Sequence, residues 1–227
     1  MSGAATASVA AMTVTATDAW ALAGLALCAA GAICGALRRG LGRRLPAPTL
    51  SGLCVGVVTG CLVSALWPAL GMGEPALTWA AWLRGITGDP SATTVVLVLA
   101  WAAAPRGAVR PSLTTVDLEG LLLRWTVALV GWALLLSHLL SDRIDLYRLG
   151  YEGASFPLGL LAIAFAAAFL GAWRMALSLA AALSAWGLGL MESSNLWDAV
   201  LDPWLVVWAT GSLVWIGVRR LLPGSRH

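Results

Sequence analysis

Apolar residues occupy this chain in seven stretches separated by short segments carrying Arg, Asp, Pro and Gly: residues 19–37, 50–70, 90–104, 120–140, 156–173, 175–191 and 203–218. None alternates with the period of two that a strand would impose. Crossing a bilayer as a helix takes roughly 17–25 predominantly apolar residues. Five of the stretches meet that length. The third and seventh reach only about 22–24 Å at 1.5 Å per residue, so they need snorkelling Arg, local thinning or burial among neighbours. The pattern predicts an all-α, polytopic membrane bundle of about seven transmembrane helices in one integral domain, residues 1–227. Within it, residues 1–18 form an outer tail, 19–218 the bundle and 219–227 a cytoplasmic tail. In the second outer segment, residues 76–84, "ALTWAAWLR", place Trp79, Trp82 and Leu83 on one face of a short interfacial helix.

Charge sets the direction of threading, because short loops rich in Arg stay cytoplasmic. With the N-terminus outside and the C-terminus inside, eleven Arg and only two acids, Asp117 and Glu119, fall on the inner side. The inner clusters are Arg38, Arg39, Arg43 and Arg44 after the first stretch and Arg219 and Arg220 after the last. The outer side keeps three Arg (Arg84, Arg143, Arg148) against nine acids. A wrong segment count would scramble this separation, so N-out/C-in is the expected topology.

Composition points to lipid as the main solvent. Of 227 residues, 59% are hydrophobic and 11% charged, with mean hydropathy +0.84, whereas a soluble domain carries about 25% charged residues. Thirteen Trp suit the membrane–water boundary. The absence of Arg or Lys before Arg38 is unlike a secretory signal, so the first stretch is expected to be retained. The expected location is a bacterial inner membrane. The four Cys (Cys28, Cys34, Cys54, Cys61) sit inside apolar runs without a His partner or CxxC spacing, and read as small buried hydrophobes.

Two recurrent patterns carry structural expectations. Asp89–Pro90 and Asp202–Pro203 each open a stretch running from outside to inside. A carboxylate accepts from the orphan amides of a helix start, and Pro sacrifices no needed donor there, so both pairs are expected to cap. Ser155 and Pro157 offer related punctuation before the fifth stretch. Gly52, Gly56, Gly60 and Ser64 recur every fourth residue, giving a smooth stripe for close helix packing in lipid. Smaller-residue faces also appear at Gly24, Cys28, Gly31 and Gly35; at Ala164, Ala168 and Ala172; and at Ala176, Ala180 and Ser184.

Candidate chemistry is confined to the outer side. His138, Asp142 and Asp145 are spaced i, i+4, i+7, and Asp198 comes from the far end of the sixth stretch. An imidazole among carboxylates could perform acid–base work, but polar outer loops also arise simply because water requires them. No metal site or cofactor is implied. There is no phosphate-gripping Gly loop with Lys, no GxSxG, no HExxH, and no basic aromatic surface for nucleic acid. Arg124 is the one cation inside a stretch, near the inner boundary, where it can snorkel or pair with Asp117 or Glu119. The expected partners are the lipid bilayer and a second membrane protein or another copy of the chain. The favoured role is a non-catalytic accessory or assembly subunit of an envelope complex. The alternatives are a small transporter or channel for a lipid-linked or neutral solute, and an outer-face enzyme acting on lipid or polysaccharide.

Overall fold

A computed structural model of the chain describes residues 15–42, 44–67, 78–103, 118–140, 145–151 and 153–221. Among these residues every regular element is helical: α1 (Ala16–Gly40), α2 (Ala47–Leu66), α3 (Trp79–Thr87), α4 (Ala92–Ala103), α5 (Leu118–Leu140), a 3-10 turn (Leu146–Gly150), α6 (Ser155–Phe169), α7 (Trp173–Gly187), α8 (Leu196–Val200) and α9 (Pro203–Leu221). Helix therefore covers part of each of the seven apolar stretches and of the expected interfacial segment. Three helices are long and apolar enough to cross a membrane: Ala16–Gly40, Ala47–Leu66 and Leu118–Ser137. At 12 residues, α4 spans about 18 Å, well short of the roughly 30 Å hydrocarbon core.

Helix ends differ from expectation for local reasons. The third stretch becomes helical only at Ala92, because Ser91 supplies the cap: its Oγ accepts from Thr94 N at 3.1 Å. Asp89 is drawn elsewhere, as described below, and Pro90 packs against α1. The helix in the segment expected to be interfacial, α3, starts at Trp79, where the Thr78 hydroxyl accepts from Ala81 N, and stops at Gly88, whose φ of 73° a larger residue would resist. Ser155 does not cap α6; Ala154 stands at the cap without a side-chain bond. Turn chemistry closes the α6–α7 hairpin at Gly171 (φ 74°), with Ala172 N donating back to Ala167 O at 2.8 Å.

Close packing uses a different stripe from the most regular one. On α1, a Cβ added at Gly24 would lie 3.0 Å from Pro90, at Gly31 2.6 Å from Val98, and at Gly35 1.7 Å from the Trp101 ring. Positions 24, 31 and 35 thus meet 90, 98 and 101 in the same order, so α1 and α4 run parallel in intimate contact. The α2 stripe does the opposite: Gly52, Gly56 and Gly60 are exposed with open space around them, and Ser64 is exposed while accepting from Trp79 Nε1 at 2.9 Å. Among the described residues Gly52, Gly56 and Gly60 meet no neighbouring helix, because α2 turns Leu50, Cys54 and Ala65 inward instead. On α7 the buried residues are Ala176, Ser178, Ala182 and Ala185; of the expected face only Ala176 is buried, whereas Ala180 and Ser184 are exposed.

Polar contacts fix which helix ends lie together. Arg38 Nη1 donates to Ala103 O at 3.4 Å, joining the C-terminal ends of α1 and α4. Glu119 at the start of α5 accepts from the Arg174 and Met175 amides at the start of α7, at 2.6 and 3.3 Å. Gly131 of α5 is pressed on Val206 of α9, and Trp132 Nε1 donates to Thr210 Oγ1 at 3.1 Å. Asp202 at the start of α9 bonds Ser91 at the start of α4. Arg84 bonds both Asp18 at the start of α1 and Glu192 just past the end of α7, so α1, α4 and α9 run one way, and α5 and α7 the other. The four cysteines are free thiols, with Cys34 and Cys54 buried.

Candidate functional site: the polar end of the bundle

The N-terminal ends of α1, α4 and α9 gather with the C-terminal ends of α3 and α7, and three polar clusters are built there. In the first, Arg84 of α3 binds three carboxylates from three parts of the chain. Its Nε reaches Asp89 Oδ1 at 2.6 Å, Nη1 reaches Asp18 Oδ1 at 2.6 Å, and Nη2 reaches Glu192 Oε2 at 2.8 Å. The arginine side chain is only 21% exposed. The hydrogen bonds with Asp89, ahead of those with Asp18, push its pKa further above the ordinary guanidinium value, against the opposing effect of burial. Asp89, expected to cap α4, is thus an ion-pair partner of the arginine five residues before it. One guanidinium against three carboxylates leaves the cluster net negative.

In the second cluster Asp202, 8% exposed, ties two helix starts together. Oδ1 accepts from Leu205 N at 2.8 Å, which caps α9. Oδ2 accepts from Ser91 N at 3.0 Å, from Ser91 Oγ at 2.8 Å and from the Thr94 hydroxyl. Pro203 occupies the first position of α9, where its missing N–H costs nothing. The buried carboxylate has no cationic partner among its hydrogen bonds. Four N–H and O–H donors and the positive ends of two helices hold it instead.

The third cluster joins the 3-10 turn to α8. Tyr147 Oη donates to both oxygens of Asp198, at 2.7 and 2.8 Å. Asn195, fully buried, donates from Nδ2 to Tyr147 O at 3.0 Å and accepts at Oδ1 from Trp197 N at 2.9 Å. Asp145 accepts from Tyr147 N at 3.0 Å, making the matching local turn. Gly150 is needed for this contact, since a Cβ there would fall 1.7 Å from Asn195 Oδ1. Sequence reasoning placed Asn195 with Glu192 and Asp198 on the outer side but missed Gly150 and the short α8. The available signal was the Asn or Asp two residues before an amide it can accept from, in "NLW" and "DLY".

Of the four expected reactive residues, Asp145 and Asp198 lie in this third cluster and both are engaged in holding it. Asp142 lies outside the described residues, as does the side chain of His138. Among the described residues no group of three or more His, Cys, Asp and Glu comes together to hold a metal ion. Of the cations expected on the inner side, Arg38 and Arg39 close the end of α1, Arg44 is exposed in the following loop, and Arg219 and Arg220 end α9. Arg43 lies outside the described residues.

Burial, and then the hydrogen bond to Asp198, push the Tyr147 pKa up from its ordinary value near 10. A raised folded pKa stabilises the fold below pH 10, and that contribution is lost as pH climbs toward the folded value. Phenolate absorbance should therefore show Tyr147 ionising later than a free tyrosine. Asp198→Asn should bring its midpoint part of the way back, because burial remains. An unchanged midpoint in Asp198→Asn would show that the Tyr147–Asp198 bond has no energetic weight.

Among the described residues every element is helical, three helices have membrane-spanning length and apolarity, and polar clusters tie helix ends together at one end, which defines a membrane protein. Comparison with protein-family models, with characterised proteins and with solved structures finds no match to this chain.

Proposed function

We propose that the chain is a seven-span, N-out/C-in protein of a bacterial inner membrane that serves as a non-catalytic assembly subunit of an envelope complex. Two observations support the threading. The directions of α1, α4 and α9 oppose those of α5 and α7, as alternate crossings require, and Arg84 meets Asp18, Asp89 and Glu192 at a single end, the one to which the charge pattern assigns all four. The short α4 is then a crossing completed by neighbours and by bilayer adjustment.

One observation carries the functional reading: at the outer end the described polar side chains are spent on holding helix ends together. Arg84 is shared among three acids, Asp202 among four donors, and Asp198 is closed by the Tyr147 hydroxyl. Such residues make a rigid scaffold, and the smooth, open face of α2 is the surface it offers to a partner helix. Full-length tagged protein isolated in mild detergent should bring down one membrane protein in stoichiometric amount. Alanine at His138, Asp142, Asp145 or Asp198 should leave the cellular phenotype intact wherever abundance is normal. Repeated isolation of the chain alone, or loss of phenotype at normal abundance, would favour an outer-face enzyme instead.

A further inference from the structure

Arg124 lies on α5 six residues beyond its start, inside a helix of membrane-spanning length. Its Nη1 donates to Gly120 O of the preceding turn at 2.9 Å. Its Cζ stands 5.4 Å from the centre of the Trp208 ring on α9. Its Nε is buried and, among the described residues, has no hydrogen-bond partner. The acid nearest along the same helix, Glu119, is turned to the start of α7 and to Arg174. Asp117 lies outside the described residues, and among those described this guanidinium meets no carboxylate; a cation in apolar surroundings is costly and calls for a counter-ion.

That counter-ion has a direction to come from. Trp208 is 46% exposed, so the ring beside Arg124 opens to the outside of the bundle. Trp208, Ser212, Trp215 and Arg219 are spaced by four, three and four residues, which places them along one face of α9. Arg219 stacks over Trp215 at 4.7 Å, and Trp215 is exposed as well. On this face Trp208 lies deeper in the helix, and Trp215 with the second cation lies toward the membrane surface. Arg favours phosphate through its planar fork of donors, and a basic site between transmembrane helices suits an anionic headgroup.

We propose that α5 and α9 hold an anionic phospholipid, its phosphate on Arg124 at the Trp215 side of the Trp208 ring and its chains running past Trp208 toward the bilayer centre. A zwitterionic lipid brings the same phosphate with an ammonium group that both arginines repel, so net negative charge is what the site selects. The inference rests on the reading that α9 lies in the bilayer. It does not depend on the assembly role, which partner isolation tests separately.

The test is native mass spectrometry of the full chain, delipidated in detergent and titrated with phosphatidylglycerol or phosphatidylcholine of identical acyl chains. Phosphatidylglycerol should bind about fivefold more tightly or better. Arg124→Gln should remove that preference, whereas Arg44→Gln, which deletes the same charge from the α1–α2 loop, should leave it in place. Trp208→Leu should weaken it at unchanged charge, and decides the matter should Arg124→Gln fail to fold. Millimolar inorganic phosphate should not displace the lipid. Equal binding of the two lipids, full preference in Arg124→Gln or Trp208→Leu, loss in Arg44→Gln, or displacement by free phosphate would each overturn the proposal.

Discussion

Asp202→Ala should destabilise the folded protein by about 3 kcal/mol or more, read as a lower midpoint of thermal unfolding in detergent. The loss exceeds that of an ordinary cap, worth about 1 kcal/mol, because two helices lose their acceptor together. Leu205 N, Ser91 N, Ser91 Oγ and Thr94 Oγ1 would all face a methyl group in a buried position. Asp202→Asn should cost less, about 1–2 kcal/mol, but is not innocuous. Donors approach both carboxylate oxygens, so whichever way the amide turns, its NH2 confronts at least one of them. Ser91→Ala combined with Asp202→Ala should fall short of the sum of the two, since the residues share bonds. Unfolding of Asp202→Ala within about 0.5 kcal/mol of the parent would mean that the α4–α9 junction does not depend on this carboxylate.

The second large effect separates two glycine stripes that look alike on paper. Gly35→Ala should destabilise by about 2 kcal/mol or more, since overpacking typically costs 1–3 kcal/mol. The Trp101 ring that the new methyl would strike is 42% exposed but is held in place by a cation stacked on it. The Arg39 guanidinium lies over that ring, 3.7 Å from its centre, and Arg39 is itself tied to Gly35 O at 2.9 Å. Gly56→Ala should be neutral or stabilising by up to about 1 kcal/mol, the ordinary helix preference for Ala over Gly, because nothing stands where its Cβ would go. Gly56→Leu extends the contrast to function: it should leave unfolding unchanged while releasing the co-purifying partner. Equal destabilisation at positions 35 and 56 would show that α2 is packed as tightly as α1.

The apolar stretches, the interfacial segment and the segregation of Arg from acids could be read directly from the sequence, because each depends on neighbouring residues and on water. The pairing of helices could not. Gly24, Gly31 and Gly35 resemble Gly52, Gly56 and Gly60 until Pro90, Val98 and Trp101 are known to face the first set. Small residues reveal that a helix can be approached closely, not which neighbour does so. Asp89 illustrates the same limit. Its position before Pro90 signals a cap, yet a guanidinium one helical turn earlier binds it more strongly, and Ser91 caps the helix instead. The rest of the Arg84 cluster lies beyond local reading, since its partners Asp18 and Glu192 are 66 and 108 residues away. Asn195 was legible in principle from its turn chemistry, but the burial that makes it the centre of the third cluster comes only from the docking of α8 against the 3-10 turn.

Seven spans require a polypeptide that traverses lipid an odd number of times, leaving its two ends in different compartments. Single cysteines introduced as Ser2→Cys or Ser225→Cys, with Cys28, Cys34, Cys54 and Cys61 replaced by Ala, report this directly. A membrane-impermeant maleimide added to intact spheroplasts should label the cysteine at position 2 at once, and the one at position 225 only after permeabilisation. Labelling of both before permeabilisation, or of neither, would put the termini on one side and contradict the seven-span reading.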